Sequence, residues 1–231
     1  MDLSPAQIRQ IVVGLFVLVI SVALHEFGHA IVAYKLGDDT PKRQGRVTLN
    51  PLAHADPLGT FILPVVSALA TAMSGGMGGG GFGWGKPVQW QPSRIRKGIK
   101  MSTATLLVSI AGPGMNFVLG TVVALVHVIL LWKGVVRGGS EVHRHLMFAA
   151  VTNYVLMFFN LVPVAPLDGG HVLQSLVPYK HRAAYESVMR YGPFIILAIV
   201  MISPLRMIFL WPALKVAAGV YRVFGSLFGV G

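Results

Sequence analysis

Residues 11–34 read IVVGLFVLVISVALHEFGHAIVAY, an apolar run into which His25, Glu26 and His29 are set. At about 1.5 Å per residue the run makes a helix of about 36 Å, enough to cross a bilayer core of about 30 Å. It is too long for the apolar part of a secretory signal, which is about 7–15 residues and carries no such charges. An ionised carboxylate inside such a helix costs a few kcal/mol or more unless it is paired or bound to a cation. The run therefore sets the fold class and marks where chemistry is to be sought.

The rest of the chain agrees with a membrane reading. Of 231 residues 54% are hydrophobic and 12% charged, and the mean hydropathy is +0.68. Soluble domains hold about a quarter charged residues, so the apolar surplus must face lipid. The hydrophobicity excludes disorder, and the lack of cysteine excludes a disulfide scaffold. The net charge of +11 resides in short connectors, which points to orientation in a bilayer and not to nucleic acid. Further long runs are Ala104 to Trp132, Leu146 to Val177 with an interruption from Asn160 to Gly170, and Pro193 to about Leu214. Leu58 to Met73, with Pro64 inside it, is short for a crossing and reads as a re-entrant or interfacial segment. If it does not cross, twelve Lys and Arg lie on the side of the 37–100 connector and seven on the other, which makes the connector cytoplasmic. The expected fold is an all-α polytopic membrane protein with about four crossings, the third of them broken.

Of eight acids, Glu26 and Asp168 alone are embedded in apolar runs. Glu26 belongs to His25-Glu26-Phe27-Gly28-His29, an H-E-x-x-H pattern. On a helix, residues i and i+4 point the same way, so both imidazoles can close on one zinc ion while Glu26 flanks it. A catalytic zinc takes a third protein ligand and keeps one position open. Asp168 is the strongest candidate, because it sits in Asn160-Leu161-Val162-Pro163-Val164-Ala165-Pro166-Leu167-Asp168-Gly169-Gly170. Two prolines and two glycines break the helix there, and a break at membrane depth is stable only in protein or beside a wet cavity. The alternative is a structural Asp capping the next helix.

These motifs resemble the site-2 protease family of intramembrane zinc metalloproteases, in its compact prokaryotic form. Besides H-E-x-x-H, Asn50-Pro51 through His54, Asp56 and Pro57 resembles its N-P-x-x-H-x-D-P element, and Gly83-Trp84-Gly85-Lys86-Pro87-Val88 its G-W-x-K-P-V strand. Ala111-Gly112-Pro113-Gly114-Met115-Asn116 is similar to A-G-P-x-x-N, and Asn160 to Gly170 to N-x-x-P-x-x-P-L-D-G-G. The elements occur in family order from residue 25 to 170, with Gly85 where the family more often has Ala. The resemblance implies that His25, His29 and Asp168 bind zinc, one ion per subunit, and that Glu26 is the general base. It also implies membrane-anchored protein substrates cut within or near their spans, in a multi-pass protein of the cell membrane. The chain reads as one membrane-embedded protease domain over 1–231, with a catalytic core of about 8–178, a C-terminal helix of about 191–214, and room for neither a PDZ nor a CBS domain.

Other polar residues have narrower expectations. Asn160 is the candidate donor to a developing oxyanion, or else an interhelical hydrogen bond. From Phe82, residues alternate with period two through Trp84, Lys86, Val88 and Trp90, which predicts a strand or small hairpin. Trp84, Lys86 and Val88 would then face an unwound substrate through strand addition, with the glycine run 75–81 as hinge. A surface hairpin anchored by its tryptophans is the competing reading. His54, Asp56, Asn116 and His171 are expected to support the site from behind the ligands, while His127 reads as an interhelical contact and His143 as a surface group. Two other functions compete with hydrolysis: a zinc-binding membrane transporter, and a proteolytically silent binder of transmembrane helices. Sequence leaves the substrate and the oligomeric state open.

Overall fold

The computed structural model describes residues 3–73 and 83–230, and among them all regular structure is helical. The first helix, α1 (Pro5–Lys35), starts at a capping box in which Ser4 and Gln7 satisfy each other's backbone amides, with Pro5 in the first turn. Two single turns follow, α2 (Thr40–Arg43) and α3 (Pro51–His54). A π-helical turn, Pro57–Ile62, then leads into α4 (Leu63–Met73). The remaining α-helices are α5 (Met101–Trp132), α6 (Glu141–Asn160), α7 (Asp168–Leu176), α8 (Arg182–Met189), α9 (Gly192–Met201) and α10 (Ser203–Phe228), with single 3-10 turns at Pro92–Arg94 and Tyr179–His181.

Helix α5 is the hub, packed against α1, α6, α7 and α10. Lipid gives helices no hydrophobic reason to associate, so close packing of small residues must do so. Ala124 of α5, Ala150 of α6 and Ala213 and Ala217 of α10 accordingly surround the buried ring of Tyr154. Where α1 meets α5, a Cβ on Gly28 would lie 2.6 Å from the Ala111 carbonyl oxygen and from Met115 Cγ. Only glycine permits that approach.

Three helices, α1, α5 and α10, are long and apolar enough to cross a membrane. The pair Tyr179–Met189 and Gly192–Met201, bent by 57°, makes up to four. The expected broken run is present: α6 stops at Asn160 and α7 begins at Asp168, with a looped 161–167 between them. Helix α6 is not among the three spans, since its first turns carry Glu141, His143, Arg144 and His145. The apolar segment 57–70 is helical but short, as a re-entrant piece requires.

Two expectations are corrected. The C-terminal helix is not one element of about 191–214 but α9 and α10, which meet at an extended Ile202 (φ −88°, ψ 110°), and α10 runs on to Phe228. Pro204 in the first turn of α10 explains the joint, because proline disfavours a helix continuing through it from the preceding residues. The strand or hairpin is also absent among the described residues. Residues 83–91 are extended, but the Trp84 and Lys86 amides donate to the carbonyls of Gly59 (3.0 Å) and His54 (2.9 Å). Those acceptors belong to helical turns, which offer isolated carbonyls and no ladder. The glycine run 75–81 lies outside the described residues.

Candidate metal centre

The break between α6 and α7 carries Asp168 back toward α1. A Cβ on Gly169 would collide with the carbonyl oxygens of Leu161 and Val162, so the loop folds tightly onto the start of α7. Asp168 makes no capping hydrogen bond there, and Leu167 occupies the cap position. The carboxylate reaches the two histidines instead. Its Oδ2 is 3.1 Å from His25 Nε2 and its Oδ1 is 3.3 Å from His29 Nε2, while the two Nε2 atoms are 3.0 Å apart. One ligand atom from each residue lies within 4.8 Å of the others. Both histidines are buried, at 8% exposure.

Hydrogen bonding fixes what this triangle can hold. His25 Nδ1 faces Asn116 Oδ1 at 2.7 Å, and His29 Nδ1 faces the Val108 carbonyl at 2.7 Å. A carbonyl only accepts, so His29 carries its proton on Nδ1. The Asn116 amide donates to the Ser21 carbonyl and to Asn153 Oδ1, each at 3.1 Å, and Asn153 donates to the Ala149 carbonyl at 2.9 Å. That relay leaves Asn116 Oδ1 as an acceptor, so His25 is also protonated on Nδ1. In neutral rings both Nε2 lone pairs then point at each other and at a carboxylate, and Asp168 Oδ2 is buried without a hydrogen-bond donor. Three converging lone pairs repel unless a cation lies among them. The donor set of two imidazoles and a carboxylate suits zinc. Gly112 makes the space: a Cβ there would overlap His29 Nε2 and come 2.7 Å from His25 Nε2.

The triangle opens on a cavity of about 740 Å³ that is also lined by Glu26, Trp84, Val88, Asn160 and His171. Glu26 does not join the triangle, and its Oε2 accepts the Val88 amide at 3.0 Å. Asn160 borders the cavity but donates its amide to the Leu156 carbonyl of its own helix at 2.9 Å. His171 is exposed on the cavity wall. Asn116 lies behind the His25 ring, fully buried. His54 and Asp56 lie farther off and build the shelf under the extended segment. His54 binds the Thr48 carbonyl through Nε2 (2.9 Å), and Asp56 accepts the Gly59 amide (2.7 Å). Trp84 and Val88 reach the cavity, whereas Lys86 is exposed and outside its lining.

Asn153 and the Val108 carbonyl were not singled out from the sequence, and Gly112 entered only as part of the A-G-P-x-x-N element. Asn153 was visible as a lone amide in an apolar run. A backbone carbonyl has no residue signature.

Comparison with known proteins gives a consistent result. The family described as Peptidase family M50 matches residues 135–203, which include the α6–α7 break and Asp168. YwhC of Bacillus subtilis (strain 168), named as a candidate zinc metalloprotease, is 35% identical over 215 residues, covering 91% of this chain and 90% of its own. Rip2 of Mycolicibacterium smegmatis, named likewise, is 32% identical over 205 residues, covering 83% of this chain and 69% of its own. Rip2 of Mycobacterium tuberculosis is 31% identical over 184 residues, 74% and 61% of the two chains. No solved structure matches. With its apolar spans and its His–His–Asp group, the chain belongs to peptidase family M50, the site-2 proteases, and is a zinc metalloendopeptidase of the membrane.

Proposed function

We propose that His25, His29 and Asp168 hold the zinc, that Glu26 is the general base, and that the enzyme cuts peptide bonds inside transmembrane segments of membrane-anchored proteins, as a step in regulated intramembrane proteolysis. The observation that carries this reading is the convergence of three lone pairs beside a carboxylate that takes no part in it. When bound, zinc supplies a Lewis acid that polarises the scissile carbonyl and lowers the pKa of water toward about 7.

The chain's own groups do the rest. Val88 occupies Glu26 Oε2, which leaves Oε1 to take the proton of the attacking water and pass it to the departing amine. Asn160 borders the cavity and is the side-chain amide proposed to face the developing negative charge, with one N–H already given to Leu156. Trp84 and Val88 line the wall against which an unwound substrate lies, with Lys86 exposed between them in the segment. Unwinding is required because a helix hides its carbonyls in its own hydrogen bonds. His25 is ten residues from Lys35, about 15 Å of helix, so the site is reached by water from the basic, cytoplasmic side of the cell membrane. A transporter has no need of a carboxylate held apart from the ligands, so the position of Glu26 favours hydrolysis.

Glu26→Gln tests the reading. Purified protein should retain zinc by elemental analysis and lose cleavage of a reconstituted membrane-spanning substrate. Unchanged cleavage would falsify the assignment of the base, and zinc flux into proteoliposomes would favour transport.

A further inference from the structure

The base sits on a long, rotatable side chain, and one contact fixes it. Among the described residues its hydrogen bond comes from a backbone amide 62 positions away, Val88, at 3.0 Å. The extended segment is built to deliver that amide. Its alternate amides, Trp84, Lys86 and Val88, point to one edge; the first two end on carbonyls of the 54–59 shelf, and the third reaches beyond the shelf to Glu26. Buried Arg46 donates to the Ala53 carbonyl and to the Lys86 carbonyl (3.4 Å), tying the segment to the shelf just before Val88. Past Val88, the Gln91 amide is held by the buried carboxylate of Asp38. Gly85 lets the segment lie on α1, since a Cβ there would come 2.5 Å from Val22 Cγ1 and 3.4 Å from Glu26 Cγ. Pro87 has its φ fixed by its ring, which removes one of the two backbone rotations that set the direction of the following amide.

We infer that the Val88 backbone amide is the positioning group of the general base, and that the extended segment serves to orient Glu26 as well as to border the substrate. The inference rests on Glu26 being the base. It predicts that deleting this one N–H slows the chemical step without touching zinc or substrate binding, because the geometry of proton transfer is what degrades.

The test is the full-length protein in which Val88 is replaced by its α-hydroxy acid analogue, which changes N–H to O and keeps the side chain, with Val88→Pro as a second variant lacking the amide. Expected is a fall in kcat of about tenfold, the scale of a hydrogen bond to a charged group. In the α-hydroxy acid form, which keeps the Val88 side chain, KM should stay within about twofold, and in both variants zinc content should be unchanged. An unchanged kcat, a rise confined to KM, or loss of zinc would each overturn the inference. If Glu26→Gln abolishes cleavage while the ester does not slow it, this inference alone fails. If Glu26→Gln cleaves normally, the base assignment fails and takes the inference with it.

Discussion

His25 with His29, and His127 with His143, are two histidine pairs of nearly one geometry at opposite ends of α5. The nearest ring nitrogens are 3.0 Å apart in the first pair and 3.1 Å in the second. The ring centroids are 4.7 Å and 4.8 Å apart, both edge-on. The pairs differ in what the remaining nitrogens meet. His127 Nδ1 is 2.9 Å from the Tyr221 hydroxyl, a group that can donate or accept, so the second pair shares its protons and is satisfied when neutral. In the first pair both Nδ1 atoms meet pure acceptors, which strips the facing nitrogens of protons and aims them at Asp168. Proximity of histidines does not make a metal site. The groups behind them decide.

This comparison can be broken most severely at the His25, His29 and Asp168 group. Asp168→Ala or His29→Ala should reduce bound zinc from about one ion per chain to none and abolish cleavage, whereas His143→Ala should leave the zinc content unchanged. Gly112→Ala comes next: the added Cβ fills the point where the lone pairs meet, so zinc should be lost with helix content, read by circular dichroism, retained. Asn116→Ala, which frees the proton position of His25, should weaken zinc affinity about 10–100-fold in a competition with a chelator. At the other pair, Tyr221→Phe removes one partner of a buried ring and should cost about 1 kcal/mol of stability in a detergent melt, with zinc and cleavage preserved. The smallest effect lies on the surface. The Asp39 carboxyl is held below its ordinary range chiefly by a hydrogen bond from Arg43, with Arg94 adding to it. A lowered folded pKa contributes stability above the ordinary carboxylate value of about 3.9 and loses it as pH falls through the lowered one. Asp39→Asn should therefore flatten the acid limb of the melting temperature slightly, and equal slopes would show the ion pair to be inert.

Much of this was legible beforehand because it is local. The i, i+4 spacing of His25 and His29 and the proline and glycine cluster before Asp168 each act within a few residues, and both appear where expected. The strand failed for a physical reason. Period-two alternation in 82–90 describes an extended backbone, which is present from Gly83, but a strand also needs a partner, and the partner here is the helical shelf of 54–59. The joint at Ile202 was within reach, since Pro204 was in plain view inside a run read as one helix. The Val108 carbonyl and the Val88 amide were beyond reach, because every residue has both groups and only packing selects among them.

The sequence by itself determined that the chain lives in a membrane and which side chains are available to bind a metal, because apolar length and residue chemistry are properties of the chain. The tertiary structure decided that two imidazoles and a carboxylate meet with their lone pairs inward and that the Glu26 carboxylate stands apart, held by the Val88 amide. Those outcomes depend on hydrogen bonds between segments 62 to 91 residues apart, and no local pattern encodes which backbone group will face a given ring.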